Sequence, residues 1–172
     1  MSEKGNCAIC RRQESKENPH LVVFEDDLWI ARHSLETNIL GYLILESKRH
    51  FLDLSHATKA ERQSLGLVLG EMEEAVRKAV SPERLYTFTL AEVVPHFHVH
   101  LIPRTRYLPK AYRGRGVLSY PLTPAADPNL MEQLCTNLKR FLSPAHLKLC
   151  TAARPEEHFG LRKTLNGVSR DR

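Results

Sequence analysis

Three of the nine histidines in this 172-residue chain stand in strict alternation. His96, His98 and His100 are separated by Phe97 and Val99. Alternation is the period of a β-strand. On a strand the three imidazoles project from one face, and Phe97, Val99 and Leu101 from the other. Imidazoles bury poorly without partners, so three on one face ask for a chemical reason beyond packing. Histidine ligates metals, moves protons near neutral pH and attacks phosphorus. Cys7 and Cys10 stand at C-x-x-C spacing, which asks for a metal or redox explanation. With His50 as third donor and His96 as fourth, they make a Cys2His2 set, the donor set of a closed structural zinc site. The stretch from Cys10 to His50 is far longer than in a zinc finger, so the fold must assemble such a site. His98 and His100 then remain free beside it. In a different reading, His96, His98 and a third ligand hold a catalytic metal with an open position; that reading leaves Cys7 and Cys10 unexplained.

The elements that must position these residues follow from pattern. Leu21 to Phe24 and Leu28 to Ala31 read as two strands joined by the acidic turn Glu25-Asp26-Asp27. Gly41 to Leu45 reads as a buried strand. Thr58 and Glu61 have capping-box spacing and open a long helix. Leu65, Leu69, Met72, Val76 and Val80 give it one apolar face, and Pro82 ends it. Gly66 and Gly70 inside it predict close packing at those positions. Leu85 to Leu90 and Phe97 to Ile102 are two further strands. Residues 105–126 read as a loop carrying Arg106, Lys110, Arg113 and Arg115. Asp127-Pro128 opens a second helix, about 128–142, with Met131, Leu134, Leu138 and Phe141 on its apolar side. The order of elements predicts an α+β fold with an antiparallel sheet. Trp29 and Cys135 read as core residues. Cys150 reads as a free thiol, and His20, His56, His146 and His158 as surface residues.

Composition narrows the class. The chain is 42% hydrophobic and 26% charged, with 10 Pro and 8 Gly, which excludes collagen-like and wholly disordered readings. Its length suits one domain, 1–172. A net charge of +5 suits an anionic substrate such as a phosphate ester. No basic-aromatic pattern accompanies it, which argues against nucleic acid. No apolar run approaches the ~18 residues of a membrane span, and the first residues lack an export signal, so a cytoplasmic protein is expected.

The segment Pro95-His96-Phe97-His98-Val99-His100-Leu101-Ile102-Pro103-Arg104 resembles the signature of the histidine triad (HIT) family of nucleotide-binding hydrolases and transferases. The upstream order agrees: the Cys7/Cys10 pair, the acidic hairpin, the strand end from Ile44 to His50 and the long helix. The resemblance spans about 7–104, leaving 105–172 as a C-terminal extension. It implies a sheet of about five antiparallel strands, usually in a homodimer. It implies substrates in which a nucleoside monophosphate, commonly AMP, is joined through phosphorus to a leaving group, as in AMP conjugates and dinucleoside polyphosphates. The middle histidine, here His98, is the implied nucleophile. Cys7, Cys10, His50 and His96 are the implied ligands of a structural zinc ion. Neutral His98 attacking phosphorus gives a nucleotidyl-histidine that water hydrolyses, and protonated His100 could bond a phosphate oxygen or protonate the leaving group. His33, Ser34, Glu92 and Arg104 are candidate nucleotide or phosphate contacts. Two departures stand out. Leu40-Gly41-Tyr42 replaces the usual Pro-Gly-His, and Ala91 to Val94 replaces a Gly-rich stretch ending in Gly-Gln. They support an alternative, a zinc-stabilised nucleotide-binding protein with little catalysis.

Overall fold

The structure, a computed structural model, describes residues 3–121 and 123–142. Its centre is an antiparallel sheet of five strands: β1 (Val22–Glu25), β2 (Trp29–His33), β3 (Leu43–Ser47), β4 (Arg84–Phe88) and β5 (His98–Arg104), in the order β1-β2-β3-β5-β4. This is the α+β architecture expected from the sequence. Among the described residues four α-helices accompany it: α1 (Glu3–Asn6), α2 (Ala8–Ser15), α3 (Lys59–Val80) and α4 (Pro128–Lys139). The β1–β2 turn is closed by Asp26, whose Oδ1 accepts from the backbone N–H groups of Leu28 and Trp29 at 2.8 and 2.7 Å.

Alternation along the strands separates the two sheet faces. Leu43, Leu45, Val99 and Leu101 point into the main core, where they meet Met72, Ala75 and Val76 of α3 and Met131, Cys135 and Leu138 of α4. Trp29 is fully buried among them, its Nε1–H donating to Ser64 at 2.8 Å. Burying a side chain of this kind is worth ~1.5–3 kcal/mol, so this face carries the fold. Arg32, Ile44, Glu46, His98 and His100 face the other way. Register places Glu46 opposite His98 and Ile44 opposite His100.

Helix α3 begins where its cap requires. Thr58 Oγ1 accepts from the Glu61 N–H, and Glu61 returns the bond to the Thr58 N–H. Its buried stripe is Val68, Met72, Ala75 and Val76, with Leu65, Leu69 and Val80 at its margin. The expected packing at Gly66 and Gly70 is corrected: a Cβ on either would meet nothing within 4 Å. Both lie on the solvent side. The close approach falls instead at Gly41, with φ +85°, where a Cβ would lie 2.8 Å from Val80 Cγ2. Gly41 is therefore a turn residue, and the third strand starts at Leu43, not at Gly41. The expected loop 105–126 contains two short 3-10 helices, Lys110–Tyr112 and Gly114–Ser119. Cys150, His146 and His158 lie outside the described residues.

Candidate active site

β5 begins at His98, so His96 precedes the strand and the three imidazoles do not form one row. The chain leaves the ladder there. The Ser47 N–H donates to the Phe97 carbonyl at 3.2 Å, and the Phe97 N–H donates to Phe51 at 2.6 Å. His96 thereby turns toward the N-terminal helices. Its Nδ1 lies 3.4 Å from Cys7 Sγ, 3.5 Å from Cys10 Sγ and 3.3 Å from His50 Nδ1, and Cys10 Sγ lies 3.5 Å from His50 Nδ1. The four donor atoms all fall within 4.8 Å of one another. A tetrahedron with zinc–nitrogen bonds of ~2.0–2.1 Å and zinc–sulfur bonds of ~2.3 Å has edges of about 3.3–3.8 Å, so the donor set fits zinc in type and spacing. Cys7 precedes the first turn of α2 and Cys10 lies within it. The far nitrogen of His96 is also committed: Nε2 donates to the Ser47 carbonyl at 2.7 Å, which leaves Nδ1 as the unprotonated donor. Burial lowers the His96 pKa, which favours the neutral, ligating form.

On the outer sheet face lies a cleft of about 510 Å³ lined by Arg12, Arg32, Ser34, Tyr42, His98, His100 and their neighbours. His98 Nδ1–H donates to the His96 carbonyl at 2.7 Å. That bond assigns the proton to Nδ1 and leaves the Nε2 lone pair free. His100 stands at the next inward position, its ring 4.7 Å from that of His98 and stacked 4.9 Å from Phe88. The Tyr42 hydroxyl lies 2.8 Å from His100 Nδ1. Burial, reinforced by the neighbouring His98, lowers the His100 pKa to about 4. With its pKa held there, His100 is neutral near pH 7 in the ligand-free protein.

The remaining candidates separate by place. His33 and Ser34 line the cleft. His33 is nevertheless spent on backbone: Nδ1–H donates to the Ser34 carbonyl at 2.7 Å, and Nε2 accepts from the Gly41 N–H at 2.9 Å. It thereby pins the β2–β3 connection, and burial lowers its pKa. Glu92 is exposed at the cleft rim, in a segment with Leu90 and Val93, which are 55% and 94% exposed. Arg104 is not brought to the cleft. It sits at the opposite end of β5, paired with Glu83. Nor do Arg106, Lys110, Arg113 or Arg115 line it.

The sequence reading missed the charged floor of the cleft. Glu46 is fully buried and is gripped by Arg12, by Arg32 at 3.3 Å and by Gln13 at 3.2 Å. A carboxylate in register with the apolar run Leu43-Ile44-Leu45 was the available signal, but its partners come from distant segments. Tyr42 was seen only as a replacement; its contact with His100 was not.

A model of the HIT domain matches residues 15–107. The chain belongs to the HIT family. The match covers His33, Tyr42, His50 and the three alternating histidines, whereas Cys7 and Cys10 precede it. Among solved structures, this HIT protein resembles a hypothetical histidine triad nucleotide-binding protein from Sulfolobus tokodaii, at 20% identity and a TM-score of 0.63 over 78% of this chain and 91% of that one. It also resembles a zinc-bound histidine triad family protein from Mycobacterium smegmatis, at 17% identity and 0.58 over 88% and 99%. A HIT-like protein involved in cell-cycle regulation from Bartonella henselae matches at 21% and 0.59 over 80% and 98%. At these identities the likeness is one of fold. The comparison with curated proteins returns no match.

Proposed function

We propose that this HIT protein is a nucleotidyl hydrolase or transferase that cleaves a phosphorus-linked nucleoside monophosphate through a covalent nucleotidyl-histidine. The observation that carries the reading is the held tautomer of His98. With Nδ1–H bound to the His96 carbonyl, Nε2 offers its lone pair to the cleft. Nε2 attacks the phosphorus of a bound AMP conjugate. The bond from phosphorus to the leaving group breaks, and the leaving group departs with its electron pair. The His96 carbonyl stabilises the positive charge that develops on the imidazole. Water or another acceptor then attacks the same phosphorus, the phosphorus–Nε2 bond breaks, and the acceptor's proton is released. One difficult step becomes two easier ones. His100 supplies a neutral N–H to the phosphate oxygens, and Ser34 lies where it can contact the nucleotide.

Zinc on Cys7, Cys10, His50 and His96 would act as a structural tie. Bound there, it would fix α2 against His96, two residues ahead of β5. A closed Cys2His2 set uses all four positions of the ion, so its contribution is to hold the backbone that holds His98. A homodimer is part of the same reading, and sedimentation at micromolar concentration tests it. The enzymatic reading is tested by turnover of a panel of AMP conjugates and dinucleoside polyphosphates. Release of AMP from at least one supports it; AMP binding with no turnover of any panel member overturns it in favour of a binding protein.

A further inference from the structure

Tyr42 carries a chemical role that this chain's departure from the family signature creates. Its ring is buried, 9% exposed, just before β3, and its hydroxyl reaches His100 Nδ1 at 2.8 Å. A buried hydroxyl has one proton to place. Among the described residues its hydrogen-bond partner is this nitrogen. The geometry allows either direction; with the hydroxyl as donor, Nδ1 accepts. A neutral imidazole that accepts at Nδ1 carries its proton at Nε2. The plane of the ring is set by its stacking on Phe88, at an interplanar angle of 25°, and by the edge-on contact with the His98 ring at 78°. With that direction, His98 and His100 lie side by side in opposite tautomers. A backbone carbonyl holds the proton of His98 on Nδ1, and a tyrosine holds that of His100 on Nε2.

We propose that Tyr42 is a positioning residue: by donating to His100 Nδ1 it fixes the neutral Nε2–H tautomer, so that His100 presents a donor to the phosphoryl oxygens while His98 presents a lone pair to phosphorus. This rests on the nucleotidyl-transfer reading above. Burial also pushes the Tyr42 hydroxyl up to about 12, so it keeps its proton across the physiological range. The arrangement separates nucleophile from donor without a cation. Two imidazoles with the same tautomer would offer phosphorus two lone pairs or none.

The test joins spectroscopy to kinetics on the full chain with its metal as purified. Imidazole ¹⁵N spectra at pH 7 should show His100 protonated at Nε2, and Tyr42→Phe, which keeps the ring, should mix the two tautomers. On an AMP conjugate turned over by the wild type, Tyr42→Phe should lower kcat ~10-fold with KM little changed, the scale of one lost hydrogen bond. His100 protonated at Nδ1 in the wild type would overturn the proposal, as would a Tyr42→Phe protein with unchanged tautomer and kcat. If the wild type turns over no conjugate, the nucleotidyl-transfer reading fails, and the two spectra still decide what Tyr42 does to His100.

Discussion

His96 and His98 are two residues apart and serve two different regions. His96 lies in a closed cage, 0% exposed, with Nδ1 facing two sulfurs and the His50 imidazole, and Nε2 spent on Ser47. His98 opens on the cleft with one nitrogen spent and one that has no partner among the described residues. The residue type is the same, and so is much of the burial. What differs is the partner of the second nitrogen. The cage joins segments 40 to 89 residues apart in sequence, so a metal bound there would tie the fold together. The cleft is built within and beside one sheet, and its rim exposes Leu90 and Val93. A histidine with both nitrogens committed is structure; one with a single nitrogen committed is poised for chemistry.

Attacking the cage should have the largest effect on stability. Chelation of zinc, or Cys10→Ser, should lower unfolding stability by ~4 kcal/mol or more, the linkage expected for an ion at about a thousand times its Kd. Elemental analysis and thermal melts before and after chelation check this. A metal-free protein melting at the same temperature would remove the distinction between the two regions.

The cleft floor comes next. Glu46→Gln leaves Arg12 and Arg32 without their shared carboxylate, with side-chain exposures of 27% and 6%. Breaking a buried pair costs ~3–5 kcal/mol, and the partial exposure of Arg12 points to about 3. Denaturant unfolding measures it. The zinc content should stay as in the wild type, which separates floor from cage.

His100→Ala should reduce turnover by ~10²-fold with little loss of zinc or fold, the effect of removing one preorganised donor. The smallest effect is on pH dependence. With its pKa lowered from the ordinary 6.5 to about 4, His100 stays neutral in the folded protein while the unfolded chain takes up a proton. Above pH 6.5 the group contributes no pH dependence. As pH falls from 6.5 to about 4, the unfolded state binds more protons and stability declines; below that the contribution is flat. An NMR titration of His100 should give a midpoint near 4, and a midpoint near 6.5 would contradict the half-buried ring in contact with Tyr42.

Much of this could be read in the sequence. The capping box at Thr58 and Glu61, the acidic turn at Asp26 and the alternation from Phe97 to Leu101 are local patterns, and local patterns set local structure. The Cys7/Cys10 pair signalled a metal because few other roles suit C-x-x-C. The sequence did not reveal where pattern ends. Alternation continued through His96, yet β5 begins at His98: after a last in-register bond from the Ser47 N–H to the Phe97 carbonyl, the Phe97 N–H turns away to Phe51. Gly66 and Gly70 resembled packing glycines, but the phase of α3 turns them to solvent. Arg12, Glu46 and Arg32 meet only once α2 docks on the sheet, and no spacing encodes that contact. Tyr42 and His100 are 58 residues apart, so a contact that only the β3–β5 pairing creates was equally invisible.

The central claim is that the free nitrogen of His98 is the nucleophile while His96 serves the cage. Its most direct measurement is mass spectrometry of the protein quenched during turnover of an AMP conjugate, with peptide mapping of the adduct. The account predicts a nucleotidyl group on His98. It predicts that His98→Ala loses adduct and turnover by ~10⁴-fold or more while keeping one zinc per chain. An adduct on another residue, or near-wild-type turnover by His98→Ala, would contradict it.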